Sequence, residues 1–174
     1  GLREGGMGSC GKHFPGHGWA EADSHVALPA DEREREKVLA DLDIYRGLAS
    51  ELTSLMTAHV AYEGFDGETA TFSQTLLKEI LRDEIGFTGL VFSDDLSMKG
   101  AGSSESVAAR ARRALSAGCD MVLHCNHPEE ADEILRDLEW ERPERFTERL
   151  AGLLPDSGTP LGLEAVSYTH LTLP

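Results

Sequence analysis

The chain has 174 residues, a length at which one domain is the ordinary outcome, and 40 % of them are hydrophobic, enough for a packed core rather than a disordered polymer. A formal net charge of −15, from 31 acidic against 16 basic residues, argues against nucleic acid or an anionic membrane surface as partner. No apolar run approaches the ~18 residues of a membrane-spanning helix, and Cys10, Cys119 and Cys125, odd in number and without CxxC spacing, fit a reduced, cytoplasmic setting.

Taken in chain order, short apolar runs alternate with helical patterns. A first strand is expected around Gly8–His13, followed by a loop that Pro15-Gly16 keeps from becoming a helix. The charged segment Asp31–Leu48 is partly helical, with Val38, Leu39 and Leu42 on one side. The run Asp31–Lys37 mixes signs and reads as a solvated helix face. A second strand is expected at Leu55–Val60. Then Leu76, Leu77, Ile80, Leu81 and Ile85 share a helical face, with Ser73 as N-cap and Gly86 as the stop. A third strand, Gly89–Ser93, precedes a helix with Val107, Ala108, Ala111, Ala114 and Leu115 on its apolar side, closed by Gly118. A fourth strand, Asp120–Cys125, leads to a helix opened by Pro128, with Ala131, Ile134, Leu135 and Leu138 facing inward.

Alternating strands and helices are the signature of parallel βαβ units, whose strands carry chemistry at their C-terminal ends. Here the polar residues gather at those ends: Lys12 and His13, then His59, then Asp94 and Asp95, then His124 to His127. The expected fold class is therefore α/β, a (β/α)8 barrel of the TIM type. About eight strands close such a barrel and four are visible, so the chain is expected to hold its last four βα units. Residues 1–163 would form that C-terminal half and 164–174 a non-native or disordered tail.

Three groups of residues could do chemistry. In KHFPGHGWAEADSH, Asp23 and His25 stand two apart, so an Asp carboxylate can hold one imidazole nitrogen while the other moves a proton. The same triplet also suits a simple Asx turn. In FSDDLSM, adjacent carboxylates on a strand point to opposite sides, so at most one of Asp94 and Asp95 faces the barrel axis, and the other caps or braces the turn. His124-Cys125-Asn126-His127 mixes ligands that zinc accepts, without a second cluster of metal-site spacing. A strand end followed by a cap fits it better.

KHFPGHG, then four residues, then DSH, followed by MTAHV, ATFS, GFTGLVFSDDLSMKG and AGCDMVL, closely resembles the bacterial β-N-acetylglucosaminidases of glycoside hydrolase family 3. The match runs from Gly5 to about Leu138. The resemblance implies retaining, two-step removal of terminal N-acetyl-β-glucosamine from peptidoglycan-derived muropeptides. Asp94 matches the nucleophile, His25 the general acid/base and Asp23 its partner, while Lys12 and His13 match residues that bind the sugar hydroxyls. It calls for no metal, no cofactor and no obligate protein partner, only a small carbohydrate. The competing readings are a family 3 β-glucosidase, a non-catalytic sugar-binding half-barrel, and a metal-dependent hydrolase using His13, His25 and His124.

Overall fold

In the computed structural model, residues 6–102 and 104–154 are described. The expected tail at 164–174 lies outside them. The chain opens with strand β1 (Cys10–Phe14) and a long loop, then a two-residue strand β2 (Ala30–Asp31) and helices α1 (Arg35–Asp41) and α2 (Asp43–Leu48). Strand β3 (Ser54–Thr57) and the short β4 (Ala61–Tyr62) follow, with a single 3-10 turn at Ala70–Phe72 and a wide-turned helix at Thr75–Glu84. Strand β5 (Leu90–Asp95), a 3-10 turn at Lys99–Ala101, helix α3 (Val107–Ala117), strand β6 (Met121–Leu123) and helices α4 (Pro128–Asp137) and α5 (Phe146–Leu153) complete it.

Strands β1, β3, β5 and β6 form one sheet in that order, every pair parallel. This is the α/β arrangement expected from the alternation of strands and helices. One face is the core. Leu55 and Val91 lie in one register row and are buried, packed among Leu76, Leu77, Ile80 and Leu81 of the wide-turned helix and Ala111 and Ala114 of α3. The next row, Lys12–Met56–Phe92–Met121, is partly or fully open. Asp94, two residues past Phe92, continues that open row at the C-terminal end of β5.

Local chemistry explains most boundaries. Ser106 accepts a hydrogen bond from the Ala109 N–H and caps α3, and Gly118 ends it at φ 133°, a conformation side chains resist. Pro128 sits in the first turn of α4, where its missing N–H costs nothing. Ser73 accepts from the Leu76 N–H, as a cap would, but one residue ahead of the helix's own N-cap position.

Several expectations need correction. The second strand ends at Thr57 rather than Val60, and the fourth at Leu123 rather than Cys125. Leu135 does not face inward: it is 83 % exposed, while Ile134 carries the contact of α4 with the core. The third strand does not stop at Ser93 but runs through Asp95, so both aspartates belong to it. The pair β2–β4 and helix α5 have no counterpart among the expected elements.

Candidate active site

The open ends of β1, β3 and β5 carry the polar residues. A bulge in β1 sets their directions. Lys12 pairs with Met56 and Phe14 with Thr57, which leaves His13 as the extra residue. A bulge re-aims a side chain at a sheet rim. Phe14 turns into the core, fully buried, and His13 turns toward β5, where its Nε2 lies 3.7 Å from Asp94 Oδ2. Burial pulls the His13 imidazole below the usual histidine value, against the opposing field of Asp94. Lys12, exposed beside it, and His17 and His25 from the loop add to that downward pull.

The two carboxylates of β5 have separate lives. Asp94 Oδ1 accepts the Asp95 N–H at 2.8 Å, leaving Oδ2 toward His13 and the open face. Asp95 points the other way and braces the turn. Its Oδ1 accepts from the Ser97 and Cys125 N–H groups, both at 2.9 Å, and its Oδ2 from the Ser97 hydroxyl at 2.7 Å. Burial pushes the Asp95 carboxyl up, but the Ser97 and Cys125 bonds more than offset this and hold it below the usual range.

Asp23 and His25 meet on an exposed turn of the loop after β1. Asp23 Oδ1 accepts the His25 N–H at 2.9 Å and bonds His25 Nδ1 at 2.8 Å. Those bonds, the backbone one first, hold Asp23 below the usual carboxylate range, so the ionised carboxylate accepts and Nδ1 is the donor. Nε2 is then the nitrogen left free to exchange a proton. The His25 N–H bond to Oδ1 makes this an Asx turn, and Val26 and Ala27 close it further by donating to the Asp23 backbone carbonyl, both at 3.0 Å. Ser24, between the pair, is buried, and its carbonyl accepts the Gly100 N–H at 2.9 Å.

Thus the structure brings together His13 with Asp94, and His25 with Asp23. His124 stands elsewhere, nearly buried, with Nε2 2.9 Å from Glu130 Oε2. Among the described residues no three His, Cys, Asp or Glu side chains gather as metal ligands would. Sequence reasoning placed His59 at a strand end without a task, and passed over Thr57 and Thr71. These three connect behind Asp94. Farther along the loop, Arg33 grips Asp31 and Asp41 and lies 5.0 Å from the Trp19 ring, which ties the start of the loop to α1.

Comparisons with known proteins point to one family. The family model for the glycosyl hydrolase family 3 N terminal domain matches residues 1–149. A β-hexosaminidase of Methylobacillus flagellatus is 49 % identical over 153 residues, 87 % of this chain and 44 % of that protein. One of Neisseria gonorrhoeae is 46 % identical over 175 residues, 99 % of this chain and 47 % of that protein. The crystal structure of NagZ from Neisseria gonorrhoeae in complex with N-trifluoroacetyl-D-glucosamine superposes with a TM-score of 0.82 at 42 % identity, over 99 % of this chain and 49 % of that one. A family 3 β-N-acetylglucosaminidase from Paenibacillus superposes at 0.76 with 30 % identity, over 87 % of this chain and 31 % of that one. The chain spans about half the length of the curated relatives it matches. With the family model matched over residues 1–149 and relatives near half identical, the chain belongs to glycoside hydrolase family 3.

Proposed function

We propose that this chain carries the nucleophile and the acid/base dyad of a retaining β-N-acetylglucosaminidase. In this reading residues 1–163 form the C-terminal half of the catalytic barrel, and the substrate is a muropeptide derived from peptidoglycan in the cytoplasm. The observation that carries it is the pairing on one rim: a strand-end carboxylate, Asp94, held open toward His13, beside a loop that presents a carboxylate-bound imidazole.

Asp94 Oδ2 attacks the anomeric carbon as the glycosidic C–O bond breaks, and the leaving oxygen takes a proton from Nε2 of the His25 imidazolium. Asp23 stabilises that imidazolium through Nδ1–H. The resulting neutral imidazole then takes a proton from water, which attacks the glycosyl ester, frees Asp94 and restores the original anomeric configuration. Retaining glycosidases ordinarily use two carboxyls about 5 Å apart. An imidazole in place of the second avoids a negative charge beside the ester when water attacks. His13 and Lys12 would hold the sugar hydroxyls against Asp94 Oδ2.

The test is turnover of an aryl N-acetyl-β-glucosaminide by the enzyme that contains this chain, and by its Asp94→Ala variant. The wild type should release the phenol and the variant should not. Near-normal rates in Asp94→Ala refute the nucleophile assignment. A wild type that cleaves only the aryl β-glucoside refutes the substrate.

A further inference from the structure

His59 is fully buried two residues past β3, and both ring nitrogens are engaged. Nε2 lies 2.9 Å from the Asp95 carbonyl oxygen, which can only accept, so Nε2 carries the proton. In the neutral ring Nδ1 must then accept, and its partner at 2.9 Å is the Thr71 hydroxyl. Thr71 also has the Ala58 carbonyl within reach at 3.3 Å, but the His59 nitrogen is nearer and has no other donor, so Thr71 spends its proton there, and at the 2.8 Å contact between hydroxyls Thr57 is the donor and Thr71 Oγ1 the acceptor. Thr57 Oγ1 is left to accept the Asp94 N–H, at 3.3 Å. Each direction follows from the one before. The chain leaves the backbone at Asp94 N–H and returns to it at the Asp95 carbonyl.

We infer that Thr57, Thr71 and His59 are positioning residues for Asp94, a one-directional buried circuit that starts and ends on the Asp94–Asp95 segment and sets where the nucleophilic carboxylate stands. The inference rests on the reading of Asp94 as nucleophile.

Four further observations fit. Thr57 and Thr71 are fully buried, so water does not compete for their hydroxyls. The His59 ring packs nearly parallel to Phe72, with centroids 6.4 Å apart, which holds the plane that aims Nε2. Burial pulls His59 below the usual histidine value, which keeps the ring in the neutral form the circuit needs. The segment is also gripped from its far side, where the buried Arg110 of α3 donates to the Leu96 carbonyl at 2.5 Å. None of the three residues reaches the open face, so none is placed to touch a sugar.

The experiment compares Thr71→Val, which keeps shape and deletes the hydroxyl, with Thr71→Ser, which keeps the hydroxyl. Both are made in the enzyme that contains this chain, and rates are expressed per folded active site. A misplacement of about 1 Å can cost about a hundredfold, and about half of that shift about tenfold. Thr71→Val should therefore lower kcat/KM about tenfold for activated and unactivated aryl N-acetyl-β-glucosaminides alike, with kcat carrying the loss and KM within about twofold. Thr71→Ser should recover most of it. Wild-type rates in Thr71→Val overturn the inference, as does an equal loss in both variants, which would mean packing alone. If neither Thr71 variant folds, Thr57→Val against Thr57→Ser decides by the same criteria. A wild type without turnover sinks the function reading instead.

Discussion

Asp23 and His25 make the sharpest residue-level argument because their bond is local. The 2.8 Å contact between Nδ1 and Oδ1 needs only a turn, and both side chains remain open to solvent. An exposed ion pair adds little to stability. Its geometry serves chemistry better than folding, since it leaves Nε2 free. His25→Ala should then slow substrates in proportion to their need for a proton. For an activated dinitrophenyl leaving group kcat/KM should fall only a few-fold, and for a poorly activated phenol about a hundredfold or more. Equal losses on both would remove His25 from the acid role. The bond between Asp23 and His25 was legible in the sequence from their spacing, while the roles proposed for Asp23, His25 and Asp94 rest on motif order. The task of Asp95 was half legible: adjacency on a strand says the two carboxylates diverge. Which one braces the turn depends on Ser97 and on Cys125 of the next strand end, a contact made across the sheet.

Between elements, the question is how an exposed dyad on a long loop keeps its place. The Asp23–His25 turn is seated by the Gly100 N–H on the Ser24 carbonyl, where the 3-10 turn after β5 meets the loop. A Cβ on Gly100 would lie 2.9 Å from the Ser24 oxygen and 2.9 Å from His59 Cβ, closer than such contacts allow. Gly100→Ala must therefore lift the Asp23–His25 turn or press on His59. If it lifts the turn, the loss in kcat/KM should be several-fold larger on poorly activated than on activated phenols, the signature of a weakened His25. A loss independent of the leaving group would show that the strain passes through His59 to Asp94, and the seat assignment would fail. Elements of this size were unevenly legible. The face Leu76, Leu77, Ile80 and Leu81 is buried as its spacing requires. The widened turns of that helix have no signal in the spacing, since the same residues would line an α-helix. Strands β2 and β4 hold two residues each, too few for a period to register. Leu135 misled because four apolar residues make a wider stripe than the surface α4 covers, and Leu135 falls beyond its edge.

At the scale of the molecule, the rim proposed to do chemistry is matched by an opposite end held together by charge. Asp120, just before β6, is almost wholly buried there. Its Oδ2 accepts from Arg82 Nη2 at 2.8 Å and from the Val91 N–H at 2.9 Å, and its Oδ1 from Arg149 Nη1 at 2.5 Å. Arg82 also donates to the carbonyls of Phe87 and Gly89 at 2.7 Å. One carboxylate thus joins the wide-turned helix, the start of β5, the start of β6 and helix α5. Burial pulls Arg82 down to about 10, still charged at neutral pH, so the carboxylate is needed between the two guanidiniums. None of this was legible, because Arg82, Asp120 and Arg149 are separated by 38 and 29 residues and share no motif. Removing one partner of a buried ionic group leaves uncompensated charge and costs about 3–5 kcal/mol, whereas the intact group adds much less than that in net stability. Asp120→Ala strands two guanidiniums and the Val91 N–H together, so its unfolding free energy, measured by urea titration, should drop by that amount. Arg149→Met, which leaves the Arg82–Asp120 pair whole, should cost less than half as much. The molecules that remain folded in Asp120→Ala should turn over substrate at the wild-type rate, because no bond of the Asp94 rim is touched. A drop under about 1 kcal/mol would mean that the two arginines relax into water and that the helices are held by apolar packing alone.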